Sequence, residues 1–193
     1  MNKERLTAFS DGVIAIIITI MVLELKAPHG EDWAALTKLL PTFLSYVLSF
    51  IYVAIYWNNH HHLMHASPRV NGAILWANMH LLFWLSLIPF ATAWMGENHY
   101  ARLPTALYGV ALLMPAIAYT LLQFTIIRLH GREGALGKAV GRDLKGKLST
   151  LLYLVALPIA FFEPRVSLTI YVLVALVWLI PDRRIENMLK SRD

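Results

Sequence analysis

The sequence has no cysteine and few charged residues. With zero Cys among 193 residues, disulfides, thiolate metal ligands and cysteine nucleophiles are excluded. Asp, Glu, Lys and Arg make up 15% of the chain, hydrophobic residues make up 58%, and the mean hydropathy is +0.55. Soluble domains have about 25% charged residues. The composition therefore indicates a membrane protein.

Several apolar runs approach the ~20 residues that a helix needs to cross a bilayer. Three runs contain no Asp, Glu, Lys or Arg, and the first run in the chain carries only Asp11 and Glu24. Two shorter runs near the C-terminus are separated by Glu163-Pro164-Arg165, which predicts a helical hairpin. The sequence thus predicts an all-α membrane protein, a six-transmembrane-helix bundle forming one unit over residues 1–193, with helices at Leu6–Leu25, Leu39–Trp57, Gly72–Gly96, Leu103–Ile127, Leu148–Phe162 and Val166–Ile180.

The basic residues are distributed unevenly between the two sides of this predicted bundle. With six spans both termini lie on one side, and 13 of the 17 Lys and Arg fall there. The positive-inside rule places that side in the cytoplasm, with the chain in the cell inner (plasma) membrane. We expect no nucleic-acid partner, because no nucleic-acid-binding motif accompanies the positive charge. The four basic residues on the opposite side are Lys26, Lys38, Arg102 and Arg165.

The first apolar run is expected to remain in the mature protein. It is longer than the apolar part of a signal peptide, and no small-residue cleavage site follows Leu25.

Polar side chains inside apolar runs are informative because lipid offers them no partners. Ser10 and Asp11 lie at the inner start of the first run, and two interpretations stay open. They bond to neighbouring helices, or they favour the positive end of a helix that begins near Phe9. Asn78, in the third run, is expected to bond across to another helix. Its candidate partners at similar depth are Ser10, Asp11 and His60.

The second run ends in a histidine cluster, which comprises His60, His61, His62 and His65. His61 and His65 are one helical turn apart and could share a metal ion, but no carboxylate at suitable spacing accompanies them. Interfacial histidines that titrate in water are the alternative. We predict no metal site and no cofactor.

Motifs for enzymatic chemistry are missing from the sequence. No Ser-His-Asp constellation, Gly-rich phosphate loop or metalloprotease helix is present, so we predict that the chain is not an enzyme. The potassium-channel filter Thr-Val-Gly-Tyr-Gly and an arginine-rich voltage sensor are also missing. Between Asp11 and Glu24 the first run carries no ionisable residue.

The stretch Arg5-x-x-x-Phe9-Ser10-Asp11 resembles the signature of the transmembrane protein 175 (TMEM175) family, the endosomal and lysosomal potassium channel and its prokaryotic relatives. Trp57-x-x-His60, then Asn78, then Pro89-Phe90 follow in the order that this family shows. The resemblance covers essentially the whole chain and is most specific in the first three helices.

The resemblance implies a potassium-permeable cation (leak) channel in which each six-helix unit contributes its first helix to a central pore. With one unit per chain it implies a homotetramer, whose other partners are the lipid bilayer and permeant potassium ions. The pore and selectivity positions that it implies are Ile16, Ile20 and Leu23, with Thr19 beside them. It further implies a structural network that holds the pore helix, formed by Arg5, Phe9, Ser10, Asp11, Trp57, His60 and Asn78.

A ring of four Ile16 side chains would form a collar without oxygen ligands. An ion passing it keeps much of its water or sheds it uncompensated, which favours weakly hydrated potassium over sodium. The alternative function is a proton-coupled or proton-permeable secondary transporter. Such a protein would be expected to have an ionisable residue near the midplane and often inverted halves, and neither is visible. A bundle that only scaffolds partners would leave the Ile16 face without a purpose.

Overall fold

The computed structural model describes residues 2–131, 137 and 143–179. Within these ranges the chain is helical apart from short connections, which confirms the all-α prediction. The helices are α1 (Lys3–Leu23), α2 (Trp33–Lys38), α3 (Leu40–His65), α4 (Gly72–Ser86), α5 (Ile88–Glu97), α6 (Arg102–His130), α7 (Leu144–Ala160) and α8 (Pro164–Leu179). Parts of the sequence prediction lie outside the described residues, namely the end of the last span at Ile180 and the basic residues Arg132, Lys138, Arg142, Arg183, Arg184, Lys190 and Arg192.

The described part of the chain contains four helical stretches that are long and apolar enough to cross a membrane. They are Lys3–Leu23, Leu40–His65, Gly72–Glu97 and Arg102–His130. The last two helices are shorter, with 17 residues in α7 and 16 in α8. The chain is therefore a membrane protein with several apolar helices, and the count of six spans stays a prediction.

Helix α1 begins earlier in the chain than the apolar pattern indicates. The side chain of Asn2 caps it, since its Oδ1 accepts a hydrogen bond from the backbone N–H of Glu4 at 2.9 Å. Ser10 and Asp11 therefore lie two turns inside the helix. The interpretation that they favour the N-terminal end of a helix beginning near Phe9 is therefore wrong, because the helix begins at Lys3.

Helix α3 extends beyond the apolar run that predicted it. The run stops at Trp57, but the helix continues to His65. Asparagine and histidine end a hydrophobic stretch without breaking a helix, because both keep their backbone N–H donors. The histidine cluster thus occupies the last turns of α3.

The third predicted span, Gly72–Gly96, is divided at Leu87 into α4 and α5. Pro89 sits in the first turn of α5. A proline ring has no N–H to donate and clashes with the carbonyl four residues earlier, here that of Leu85, so the regular helix cannot run through. The two helices together still cover 26 residues.

The helices enclose two apolar clusters. In the first, α1 packs on α3, α4 and α5 through residues that include Ile14, Ile17 and Leu81. In the second, four tyrosines from α3, α6, α7 and α8 meet: Tyr52, Tyr108, Tyr153 and Tyr171. Helix α6 contacts α4, α5, α7 and α8, so it joins the α1 side of the bundle to the α7–α8 hairpin.

Candidate pore helix and its polar anchor

Helix α1 has two different faces. On the face that packs into the bundle, Ile14 and Ile17 are only 1% and 3% exposed. On the other side, Ile16 is 59% exposed, Ile20 42% and Leu23 73%. These three residues follow one another at spacings of four and three, so they form one stripe along the helix. A single chain therefore leaves this apolar stripe uncovered.

Thr19 is exposed and lies one turn from Ile16 and Leu23. Its hydroxyl donates to the backbone oxygen of Ala15 at 2.9 Å. With its proton used inside the helix, the hydroxyl oxygen presents lone pairs outward. The stripe therefore carries one potential oxygen ligand among apolar side chains.

A buried chain of hydrogen bonds ties α1 to α4 and α3. The side-chain amide of Asn78 donates to Ser10 Oγ at 2.9 Å, and Ser10 Oγ donates to the backbone oxygen of Leu6 at 2.9 Å. Asn78 Oδ1 lies 2.7 Å from His60 Nε2. Ser10, His60 and Asn78 are all 0% exposed. Because the Asn78 oxygen can only accept, the histidine carries its proton on Nε2. The bonds expected for Asn78 are present, to two of its three candidate partners.

Asp11 has a different partner. Its Oδ1 accepts a hydrogen bond from Trp57 Nε1 at 3.0 Å, which joins α1 to α3 on a half-exposed face of the bundle. The Trp57 ring in turn contacts the ring of His61. Arg5 and Phe9 are exposed, so the structure does not bring them into the buried chain.

The histidine cluster separates into buried and exposed members. His60 is enclosed and bonded to Asn78, so it is not an interfacial group in water. His61 and His65 are exposed. No group of three or more His, Asp or Glu that could hold a metal ion occurs in the described ranges.

Sequence reasoning missed a buried hydroxyl cluster between α3, α5, α6, α7 and α8. Tyr153 donates to the Tyr52 hydroxyl at 3.1 Å, and the Tyr52 hydroxyl donates to the backbone oxygen of Tyr171 at 2.6 Å. Nearby, Ser49 Oγ lies 2.6 Å from Thr92 Oγ1 and 2.9 Å from the Tyr108 hydroxyl. These residues fall within apolar runs at no common spacing, so only the tertiary packing reveals them.

Comparison with known proteins gives consistent matches. Residues 5–89 match the family model described as endosomal/lysosomal potassium channel TMEM175. A potassium channel of Chryseobacterium sp. (strain P1-3) is 57% identical over 191 residues, covering 99% of this chain and all of the relative. The human protein named endosomal/lysosomal proton channel TMEM175 is 29% identical over 150 residues, covering 69% of this chain and 29% of the human one.

A solved structure agrees with the fold. The crystal structure of a lysosomal potassium-selective channel TMEM175 homolog from Chamaesiphon minutus superposes with a TM-score of 0.81. It is 28% identical, and the match covers 93% of this chain and 97% of the other. These relatives are named as ion channels, which confirms the prediction of a channel protein rather than an enzyme. The chain belongs to the TMEM175 family.

Proposed function

We propose that the chain is a potassium-permeable cation channel whose pore is formed by α1 from four copies. The apolar constriction is formed by Ile16, Ile20 and Leu23, and Thr19 adds a ring of hydroxyl oxygens. Potassium as the permeant ion is supported by the relatives that are named potassium channels and by the potassium-selective homolog of known structure. The uncovered stripe of α1 supports the position of the pore.

One observation carries this proposal. Helix α1 is anchored to its own chain by the buried Ser10, Asn78 and His60 contacts, while Ile16 on the opposite side is 59% exposed. A helix that is only a lipid-facing wall needs no such polar anchor. Holding α1 at a fixed rotation is what a pore helix requires, because a small rotation would replace one set of constricting side chains by another.

The proposed constriction acts through ion hydration. Stripe side chains from four copies present hydrocarbon to the ion, so water is not replaced by protein oxygens except at Thr19. Potassium releases water at a lower cost than sodium, which gives modest selectivity for potassium. When no ion and no water occupy the apolar ring, it closes the pore by dewetting.

The proposal includes a membrane topology. Six helices, with both termini on the cytoplasmic side of the inner membrane, are supported by the excess of Lys and Arg on that side. We call the side that holds the start of α1 and the end of α6 the inner end. Glu24 then lies at the outer mouth, where its exposed carboxylate favours cations over anions.

The test is the reversal potential of the purified protein in planar bilayers, with potassium on one side and sodium on the other at equal chloride. We expect a shift toward the potassium equilibrium potential. Ile16→Asn should change the conductance or reduce the shift while leaving the assembly intact. Leu173→Asn on α8 is the matched control, since Leu173 is 54% exposed but lies outside α1. Equal effects of the two variants would refute the pore assignment.

Proton permeation is a second candidate, because the animal relatives are named proton channels. In this chain no ionisable residue lies between Asp11 and Glu24 of α1. Protons would therefore cross through water in the apolar pore and not through a relay of side chains. A proton-flux assay in potassium-free liposomes tests this. If Ile16→Asn alters the proton flux, protons use the same pore as potassium. If the variant leaves the flux unchanged, protons use another path.

A further inference from the structure

A groove runs along the outside of the bundle between α6 and α7 at the inner end. Its volume is about 700 Å³. The walls are formed by side chains that no other helix of the described residues covers: Ile117, Leu121, Phe124, Leu151 and Leu154. Each of them is at least 41% exposed. The groove therefore has apolar walls and is open to the surrounding membrane.

The length of the groove matches one leaflet. On α6 it extends from Ile117 to Ile127, which at helical rise is about 15 Å. The hydrocarbon core of a bilayer is about 30 Å thick, so one leaflet supplies about half of that. A single acyl chain lying along α6 would reach from the bilayer centre to the headgroup region.

The inner end of the groove is polar and carries both signs of charge. Two charged residues line it together: Asp143, which is the N-cap of α7, and Lys147, which lies one helical turn further along α7. Within the ranges that the structure describes, neither side chain forms an ion pair within 4.0 Å. Gln123, only 8% exposed, also lines the groove. An anion and a cation that do not neutralise each other are thus presented side by side.

Asp143 also lines a second, smaller cavity next to the groove. This cavity is lined by Tyr56, Tyr119 and Tyr153 and shares Asp143, Thr120 and Gly146 with the groove. Its free volume is about 40 Å³, which is room for about three water molecules. Tyrosine side chains next to a carboxylate suit a cation. The space is sufficient for a primary ammonium group, whereas a trimethylammonium group is considerably larger.

We propose that this groove binds one phosphatidylethanolamine molecule of the inner leaflet. The ammonium group lies at Asp143 and the tyrosine rings, the phosphate lies at Lys147, and one acyl chain lies along the wall of Leu121, Phe124 and Leu151. A phosphoglycerol headgroup would satisfy Lys147 but offer no cation to Asp143. A choline headgroup would offer a cation without N–H donors.

The binding test uses native mass spectrometry of the purified full chain, titrated with phosphatidylethanolamine, phosphatidylcholine and phosphatidylglycerol that carry identical acyl chains. We expect phosphatidylethanolamine to bind about tenfold more tightly than either of the others, the size of one charge-assisted hydrogen bond. Asp143→Asn should remove this preference. Asparagine can still cap α7 through the bond that Asp143 Oδ1 accepts from Gly146 N at 2.9 Å, so the variant should fold.

A second pair of variants tests the proposed contacts between the acyl chain and the groove. Leu151→Trp fills the groove and should weaken all three lipids about tenfold. Val155→Trp, also on α7 and 45% exposed but not lining the groove, should change nothing.

Three results would overturn the proposal. They are equal or tighter binding of phosphatidylglycerol, a preference that survives Asp143→Asn, and equal effects of the two tryptophan variants. Because the readout is lipid binding and not conductance, the outcome is independent of whether α1 forms the pore.

Discussion

Replacing Asn78 by alanine tests whether the buried polar chain is what fixes α1. The substitution removes the bond to Ser10 and leaves the His60 Nε2–H without an acceptor in a site that is 0% exposed. An orphaned buried donor costs about 1–3 kcal/mol and a lost neutral hydrogen bond about 0.5–1.5 kcal/mol. We therefore expect a loss of about 2–4 kcal/mol in the free energy of unfolding.

The assay is thermal unfolding of the detergent-solubilised protein. For a chain of this length the expected loss corresponds to a melting temperature lower by about 4–16 °C. Asn59→Ala is the matched control, because within the described residues the Asn59 side chain donates to the backbone oxygen of Ile55 in its own helix, at 2.8 Å, and to no other helix. A double-mutant cycle of Asn78→Ala with Ser10→Ala should give a coupling of about 1 kcal/mol. Equal melting temperatures for Asn78→Ala and Asn59→Ala, or zero coupling, would refute the reasoning.

Two further substitutions probe other contacts of the bundle. Asp11→Ala removes the acceptor of the Trp57 indole and should weaken assembly, seen as loss of the oligomer peak in size-exclusion chromatography, whereas Asp11→Asn keeps an oxygen acceptor and should retain it. Gly109→Ala should lower stability by about 1–3 kcal/mol, because its new Cβ would overlap the Tyr171 hydroxyl. Adding Tyr171→Phe should recover part of that loss in a thermal melt, and no recovery would locate the strain elsewhere.

Much of the helical framework could be predicted from the sequence, because lipid-facing helices must be apolar over long stretches. The run Leu103–Ile127 predicted α6 to within three residues at its C-terminal end, and the turn at Pro164 was also correct. The hydropathy pattern failed at two places. Polar histidines continue the helix at the end of α3, and a proline divides an apolar run between α4 and α5. The short helix α2 was missed because six residues at an interface give no apolar run.

The site was less accessible to sequence reasoning. Helix α1 is apolar on all sides, so its pattern could not distinguish Ile14, which is buried, from Ile16, which is exposed. Only the family resemblance selected the Ile16 stripe. The partners of Asn78 could be narrowed to three by depth alone, but the choice among them depends on how α1 rotates against α4. The groove at Asp143 and Lys147 lies between α6 and α7, and the sequence does not specify how these two helices cross.

The unequal helix lengths bear on the membrane itself. At helical rise α6 is about 43 Å long and α3 about 39 Å, whereas α7 is about 25 Å. Under the proposed six-span topology, the long helices must tilt while α7 is too short for a hydrocarbon core of about 30 Å. The bilayer then thins along one edge of each chain, at a cost of fractions of a kcal/mol per Å. Under that topology, this hydrophobic mismatch would favour thin membranes and make bilayer thickness a variable to which the function of the protein should respond.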